Sequence, residues 1–253
     1  MRRRSSCLSH SQLYDSLVYF RFRIVAYIPQ CAETLLNNET CFLEEPAWTE
    51  IFKSAIVPGE TFADRSSLNI ELMMIKCRVP SLAKRTNHAV VTQTAISSEC
   101  LANLIADIRT LRSSVMSWRR KFNIALISKE DCSPYDTLDY AKRYEVFGLS
   151  LVVNIMTTRL LLCLEPNGRA YLEEEVHNLA LELKDTQRLI TDNRRAALFL
   201  AQKAKFADAA IATHDIFVEA AGNRGIVEPW MLEKFFTVLG RRKGCDGQAC
   251  CEL

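Results

Sequence analysis

A glutamate and a histidine three residues apart on a helix can ligate a metal ion together, and the sequence contains one such pair, Glu174 and His177. On a helix this spacing puts a carboxylate and an imidazole on one face, as dinuclear iron sites require. Such a site also needs a second copy of the motif, and none is present. We therefore interpret the pair as part of an exposed acidic helix start. No glutamate stands three positions before any of the other histidines, which are His10, His88 and His214.

Cysteine is the second residue type that could do chemistry, and the chain has ten. The only close cluster is at the C-terminus, where Cys245, Cys250 and Cys251 lack a nearby fourth ligand and so do not form a closed tetrahedral zinc site. The others stand far apart, mostly among apolar residues, where cysteine behaves as a small hydrophobic residue. We expect reduced thiols, as in the cell interior, and no metal ligand among them. These separate cysteines are Cys7, Cys31, Cys41, Cys77, Cys100, Cys132 and Cys163.

Motifs for catalysis and phosphate binding are absent from the sequence. There is no G-x-x-x-x-G-K or G-x-G-x-x-G loop to hold a phosphate. Gly148 and Ser150 lack the second glycine of a hydrolase nucleophile elbow. His214 lies on the apolar side of a predicted helix, where we expect a hydrogen-bonded core histidine. The sequence thus predicts no catalytic, cofactor-binding or metal-ligating residue, no cofactor, and a protein that is not an enzyme.

The charge balance also limits the partners. Lys and Arg number 32 against 30 for Asp and Glu, which is too little net charge to hold a polyanion by electrostatics alone. Basic triplets occur at Arg119 to Lys121 and Arg241 to Lys243, and we interpret both as solvated helix ends. No direct DNA binding is expected from this chain.

The elements that position these residues are predicted to be helices almost throughout, because only eight glycines and seven prolines interrupt the chain. Apolar residues recur at steps of three and four from about Ser98 to Phe122, which is typical of an amphipathic helix. Between Thr137 and Leu164 they cover every face, which favours the central helix of a bundle. Three further helices are predicted through Leu172 to Ile190, Leu200 to Val218, and Pro229 to Gly240.

The N-terminal part is less regular in pattern. Asp64 and Ser66 begin a predicted helix of about three turns that Pro80 ends. The stretch at 36–63 is predicted to be irregular, with one short helix after Pro46. The β-branched run from His88 to Ile96 has no second strand to pair with, so we predict a loop there.

These elements predict an all-α fold of one domain with about six main helices around one core. The predicted boundaries are a flexible basic N-terminus at 1–12, a helical domain at 13–240 and a flexible cysteine-containing tail at 241–253. The basic, serine-rich start also leaves a mitochondrial leader as an alternative. The most apolar segment, from Val146 to Thr158, is shorter than the ~20 residues that a bilayer span needs, so we predict no membrane anchor.

Several short segments together are typical of one known family. They are Ala26 to Gln30, Cys41 to Leu43 with Trp48, Asp64 to Ser66, Val79 to Leu82, Leu198 to Ala204, and Pro229 to Glu233. These segments resemble the regulatory region of fungal transcription factors that carry a zinc binuclear cluster. The resemblance implies an all-helical region that modulates transcription, often of metabolic or secondary-metabolite genes, through protein partners of the transcription machinery or a small effector. It also implies a nuclear location, with the cytoplasm as an alternative. The zinc cluster itself, with its six cysteines, is missing from the sequence.

Two alternatives stay open at this stage. The chain could be a regulator without its own DNA-reading cluster or a shortened form of a longer DNA-binding protein. The rival class is a helical small-molecule-binding protein or enzyme of a secondary-metabolite pathway, in which the helix from Tyr144 to Leu164 lines a hydrophobic cavity. The target genes, the effector and the oligomeric state are not encoded in any pattern that we recognise.

Overall fold

The structure, a computed structural model, describes residues 28–91, 96–129, 138–165, 169–224, 234–237 and 239. Within these ranges the chain is helical and contains no β-strand, so the predicted all-α class is confirmed. The predicted N-terminus at 1–12 and tail at 241–253 lie outside them. Eight α-helices are described: α1 (Ile28–Leu36), α2 (Pro46–Ser54), α3 (Ser67–Cys77), α4 (Val79–Val91), α5 (Ser98–Lys129), α6 (Leu138–Leu164), α7 (Arg169–Leu189) and α8 (Arg194–Arg224).

Helix α6 is the centre of the fold. It contacts α4, α5, α7 and α8, and side chains on all its faces are buried. By length and composition it could cross a membrane, but 94% of its most apolar window is buried within the protein. Packing against the neighbouring helices therefore accounts for its apolar composition.

Helix α5 confirms the predicted amphipathic pattern and extends it by two turns, to Lys129. Its apolar side faces the core, where Trp118 is fully buried and donates a hydrogen bond from its indole nitrogen to the carbonyl oxygen of Leu68, at 2.7 Å. Its polar side contacts α7, because Arg119 forms an ion pair with Glu182 at 2.6 Å. The helix thus has one buried and one charged face, as predicted.

The N-terminal helices agree with the prediction in part. Ser66 caps α3 as expected, accepting a hydrogen bond from the backbone N–H of Asn69, and α2 begins at Pro46. A single 3-10 turn spans Phe42–Glu44. The predicted helix of about three turns is confirmed as α3, which ends at Cys77, before Pro80. Helix α4 was not predicted, and Pro80 lies in its first turn, a position that needs no N–H donor.

The loop predicted from His88 to Ile96 is therefore wrong in its first part, since α4 continues to Val91, and 92–95 lie outside the described residues. The last predicted helix, from Pro229, falls mostly outside them as well. Its described part is helical at 234–237, with Phe235 and Phe236 buried.

Candidate functional site

A small second hydrophobic core beside the main one contains three converging cysteines. Helix α1 supplies Cys31, the residue before the 3-10 turn supplies Cys41, and the last residue of α3 supplies Cys77. All three are at most 3% exposed. We call them the thiol cluster. The remaining buried side chains of this second core are apolar and are Leu43, Phe52, Ala55 and Ile70.

The sulfur atoms of the thiol cluster are in contact. The Sγ of Cys31 lies 3.3 Å from that of Cys41 and 3.7 Å from that of Cys77, and all three lie within 4.8 Å of one another. The cysteines are free thiols. The sequence analysis missed this convergence, because Cys31, Cys41 and Cys77 meet only through the packing of three separate elements.

Hydrogen bonds among the thiols divide the protons unequally. Bonds from Cys31 and Cys77 lower the pKa of Cys41 well below its ordinary value. The hydrogen bond to Cys41 raises the pKa of Cys31, and the bond to Cys31 raises that of Cys77, since a donating thiol is held in its protonated form. Burial lowers the pKa of the neighbouring Lys76, and the three thiols oppose that shift. The hydrogen bonds therefore favour a thiolate on Cys41 over one on Cys31 or Cys77.

Such a group of thiols has three chemical uses. It can ligate a thiophilic metal ion, exchange into a disulfide, or serve only as apolar packing. Among the residues that the structure describes, no histidine or carboxylate joins the three sulfurs as a fourth ligand.

A second polar cluster lies in the main core, where Arg159 of α6, Glu173 of α7 and His214 of α8 form a buried network. Arg159 is fully buried and pairs with Glu173 through both of its terminal nitrogens. Glu173 Oε1, which also accepts a hydrogen bond from Arg159, lies 2.8 Å from Nδ1 of His214. The ring of His177 lies against that of His214, with centroids 4.4 Å apart. The network thus joins three helices through paired charges.

The contacts of this network test the predictions that were made for the histidines. His214 is hydrogen-bonded, as predicted, but its ring is only partly buried. Glu174 is exposed but does not lie in the first turn of α7, which contains no acidic residue, and His177 is partly buried against His214. The interpretation of this pair as an exposed acidic helix start was therefore wrong. The neighbouring Glu173 is buried and contacts His214. The sequence analysis did not single out Glu173, because nothing in the pattern showed that Arg159, fourteen residues earlier, faces the same point.

Two other expectations concern residues on helices. The hydroxyl of Ser150 donates to the backbone carbonyl of Phe147 at 2.7 Å, which suits a helical serine rather than a nucleophile. The triplet from Arg119 to Lys121 lies inside α5 and not at a helix end, so that interpretation was wrong. Its outer members form ion pairs, Arg119 with Glu182 and Lys121 with Glu71. The second triplet, at 241–243, lies outside the described residues.

A third charged group surrounds Glu145 on α6. Lys142 contacts both Glu145 and Asp64 at 2.7 Å, and Lys203 of α8 approaches Glu145 at 3.8 Å. The Nζ of Lys203 also donates to the carbonyl oxygen of Phe199 at 2.7 Å. These contacts tie α6 to α8 and to the segment before α3.

A surface depression of about 340 Å³ lies along the outer face of α7. Carboxylates dominate its lining, and no histidine or cysteine takes part. The lining residues are Tyr171, Glu174, Glu175, Asn178, Leu179 and Glu182.

Comparison with known proteins gives one similarity. Over 185 residues the chain is 23% identical to an uncharacterized protein of Emericella nidulans, an alignment that covers 68% of this chain and 38% of that protein. The chain therefore spans well under half of the relative's length. No protein-family model matches the chain. No solved structure matches it either.

Proposed function

We propose that the chain is a helical regulatory domain that acts by binding a protein partner or a small effector, as the regulatory region of fungal zinc-cluster transcription factors does. Its place of action is then the nucleus. The observation that carries the proposal is the position of α6, whose apolar side chains are enclosed by the neighbouring helices. In the rival class, the same helix would line a cavity.

The buried charges support the same proposal. Arg159 and Glu173 neutralise each other, and Lys142 is paired with Asp64 and Glu145. Charged groups that are paired with each other are not aimed at a substrate, as the groups of an active site are. The domain is therefore proposed to bind and not to catalyse.

The transcription role is tested by fusing the chain to a heterologous DNA-binding module in a fungal cell and measuring a reporter gene. We expect the fusion to change reporter expression several-fold relative to the module alone, because partners reach the folded domain at the promoter. The purified chain alone should not bind DNA in a sequence-specific way.

A matched pair of leucine substitutions separates an effect of the folded domain from an effect of an unstructured chain. Leu151→Asp places a charge at a fully buried position of α6 and should abolish the reporter change. Leu189→Asp makes the same replacement at a position that is 79% exposed and should leave it intact. An unchanged reporter with a stable nuclear fusion, or full activity of Leu151→Asp, would contradict the proposal.

A further inference from the structure

We propose that Cys31, Cys41 and Cys77 form a binding site for one Zn²⁺ ion. Zinc binds cysteine sulfur at about 2.3 Å with tetrahedral geometry, which requires about 3.8 Å between the sulfurs. The Sγ of Cys31 lies 3.3 Å and 3.7 Å from the other two sulfurs, which is near that value, and the third pair lies within 4.8 Å. Small side-chain movements bring all three sulfurs to bonding distance of one ion.

The number of thiols argues for a metal rather than a disulfide or packing. A disulfide uses two sulfurs and leaves the third without a role. Apolar packing of cysteine needs no contact between sulfurs. Three sulfurs in contact, from three separate elements, are what a thiophilic ion requires.

The charge of the ion selects Zn²⁺ over Cu⁺. Three thiolates around Zn²⁺ carry a net charge of −1, whereas the same ligands around Cu⁺ carry a net charge of −2. The three cysteines are buried, and the larger uncompensated charge is the more costly one to bury. Zinc binding displaces the thiol protons, so all three sulfurs ligate as thiolates.

The coordination is open, since three protein ligands leave the fourth position of the tetrahedron for water or an added ligand. The ion would join α1, the segment before the 3-10 turn and the end of α3. Because these elements share only a small apolar core, the metal should contribute to holding them together.

The test is a titration of the full chain, purified under reducing conditions, with Co²⁺ as the spectroscopic substitute for Zn²⁺. We expect a thiolate-to-cobalt charge-transfer band that saturates at one equivalent and disappears when Zn²⁺ is added. Cys41→Ser should lose the band. The matched controls Cys163→Ser, buried outside the cluster, and Cys100→Ser, exposed, should keep it.

The C-terminal cysteines need a control of their own, because they could also bind cobalt. A variant with Cys245, Cys250 and Cys251 all replaced by serine should keep the band. If that variant loses the band while Cys41→Ser keeps it, the proposed site is wrong.

A second measurement needs no substitution and so avoids variants that fail to fold. Zinc should slow alkylation of Cys31, Cys41 and Cys77 at least tenfold, measured by mass spectrometry of peptides, and should leave Cys163 unchanged. Equal alkylation with and without Zn²⁺, or a native disulfide between Cys31 and Cys41, would overturn the assignment.

Discussion

The ammonium group of Lys203 is enclosed where α8 meets α6, with only 15% of its side chain exposed. Burial lowers its pKa to about 8 from the ordinary 10.5, and Glu145 offsets only part of that shift. The carboxylate of Glu145 already has a closer partner in Lys142. Lys203 is thus a charge that folding removes from water without full compensation.

Replacing Lys203 with methionine, which has a similar length and no charge, should stabilise the protein by about 1–3 kcal/mol at pH 7, because a desolvated charge is removed. The wild type should gain stability between about pH 8 and 10.5. In that window the unfolded chain keeps a proton that the folded chain has released, so the free energy of unfolding rises with pH. The advantage of Lys203→Met should therefore shrink over the same window.

Chemical denaturation of both proteins from pH 7 to pH 10.5 checks this, and other titrating groups cancel in the difference. Lys205→Met, at an exposed position of the same helix, is the matched control and should show no such trend. If the free energies of unfolding of the wild type and of Lys203→Met differ by the same amount at every pH, the ammonium group of Lys203 is not buried as described.

At the same scale, the sequence showed the role of His214 because its place on an apolar helical stripe already implied a hydrogen-bonded ring. It could not show the pairing of Arg159 with Glu173, or the meeting of Cys31 with Cys77. Those contacts depend on how helices rotate and cross, and no local periodicity records that.

At the scale of elements, Gly148 of α6 lies directly against Leu200 of α8. A Cβ atom added at Gly148 would lie 2.2 Å from Cδ2 of Leu200, which is fully buried, so that the leucine side chain would have to shift. The missing side chain of Gly148 therefore allows the two helices to make this close contact.

Gly148→Ala should destabilise the protein by about 1–3 kcal/mol, because the overpacking cost exceeds the gain of about 1 kcal/mol in helix propensity. Leu200→Ala alone should cost about 2–5 kcal/mol by leaving a cavity. The double variant should lose at least 0.5 kcal/mol less than the sum, roughly the smallest coupling expected of contacting residues. Urea denaturation measures the cycle, and a neutral or stabilising Gly148→Ala would show that the helices are farther apart.

Long helices were predictable because their pattern repeats over many turns, as the stripe from Leu104 to Phe122 in α5 shows. Helix α4 was not predictable, because a proline such as Pro80 is compatible both with the end of one helix and with the first turn of the next. The sequence alone does not show whether the chain enters a new helix after Arg78.

At the scale of the whole molecule, α3 connects the main core and the second core. Its Leu72 and Met73 belong to the main core, while Ile70 and Cys77 belong to the second. A helix that contributes to both cores cannot lose its contacts in one without weakening the other. We therefore expect both cores to unfold together, as one cooperative unit.

Two tryptophans report on the two cores separately. Trp48 packs against the second core and contacts the ring of Phe42, with centroids 5.3 Å apart, whereas Trp118 is buried in the main core. Two double variants each keep a single one of these tryptophans. The variant Trp118→Phe with Trp230→Phe keeps Trp48. The variant Trp48→Phe with Trp230→Phe keeps Trp118. Within each protein, the denaturation midpoint from fluorescence should equal that from far-ultraviolet circular dichroism, since α3 couples the cores. An earlier fluorescence midpoint in the Trp48 protein would show that the second core opens by itself, and that α3 does not transmit stability between the two.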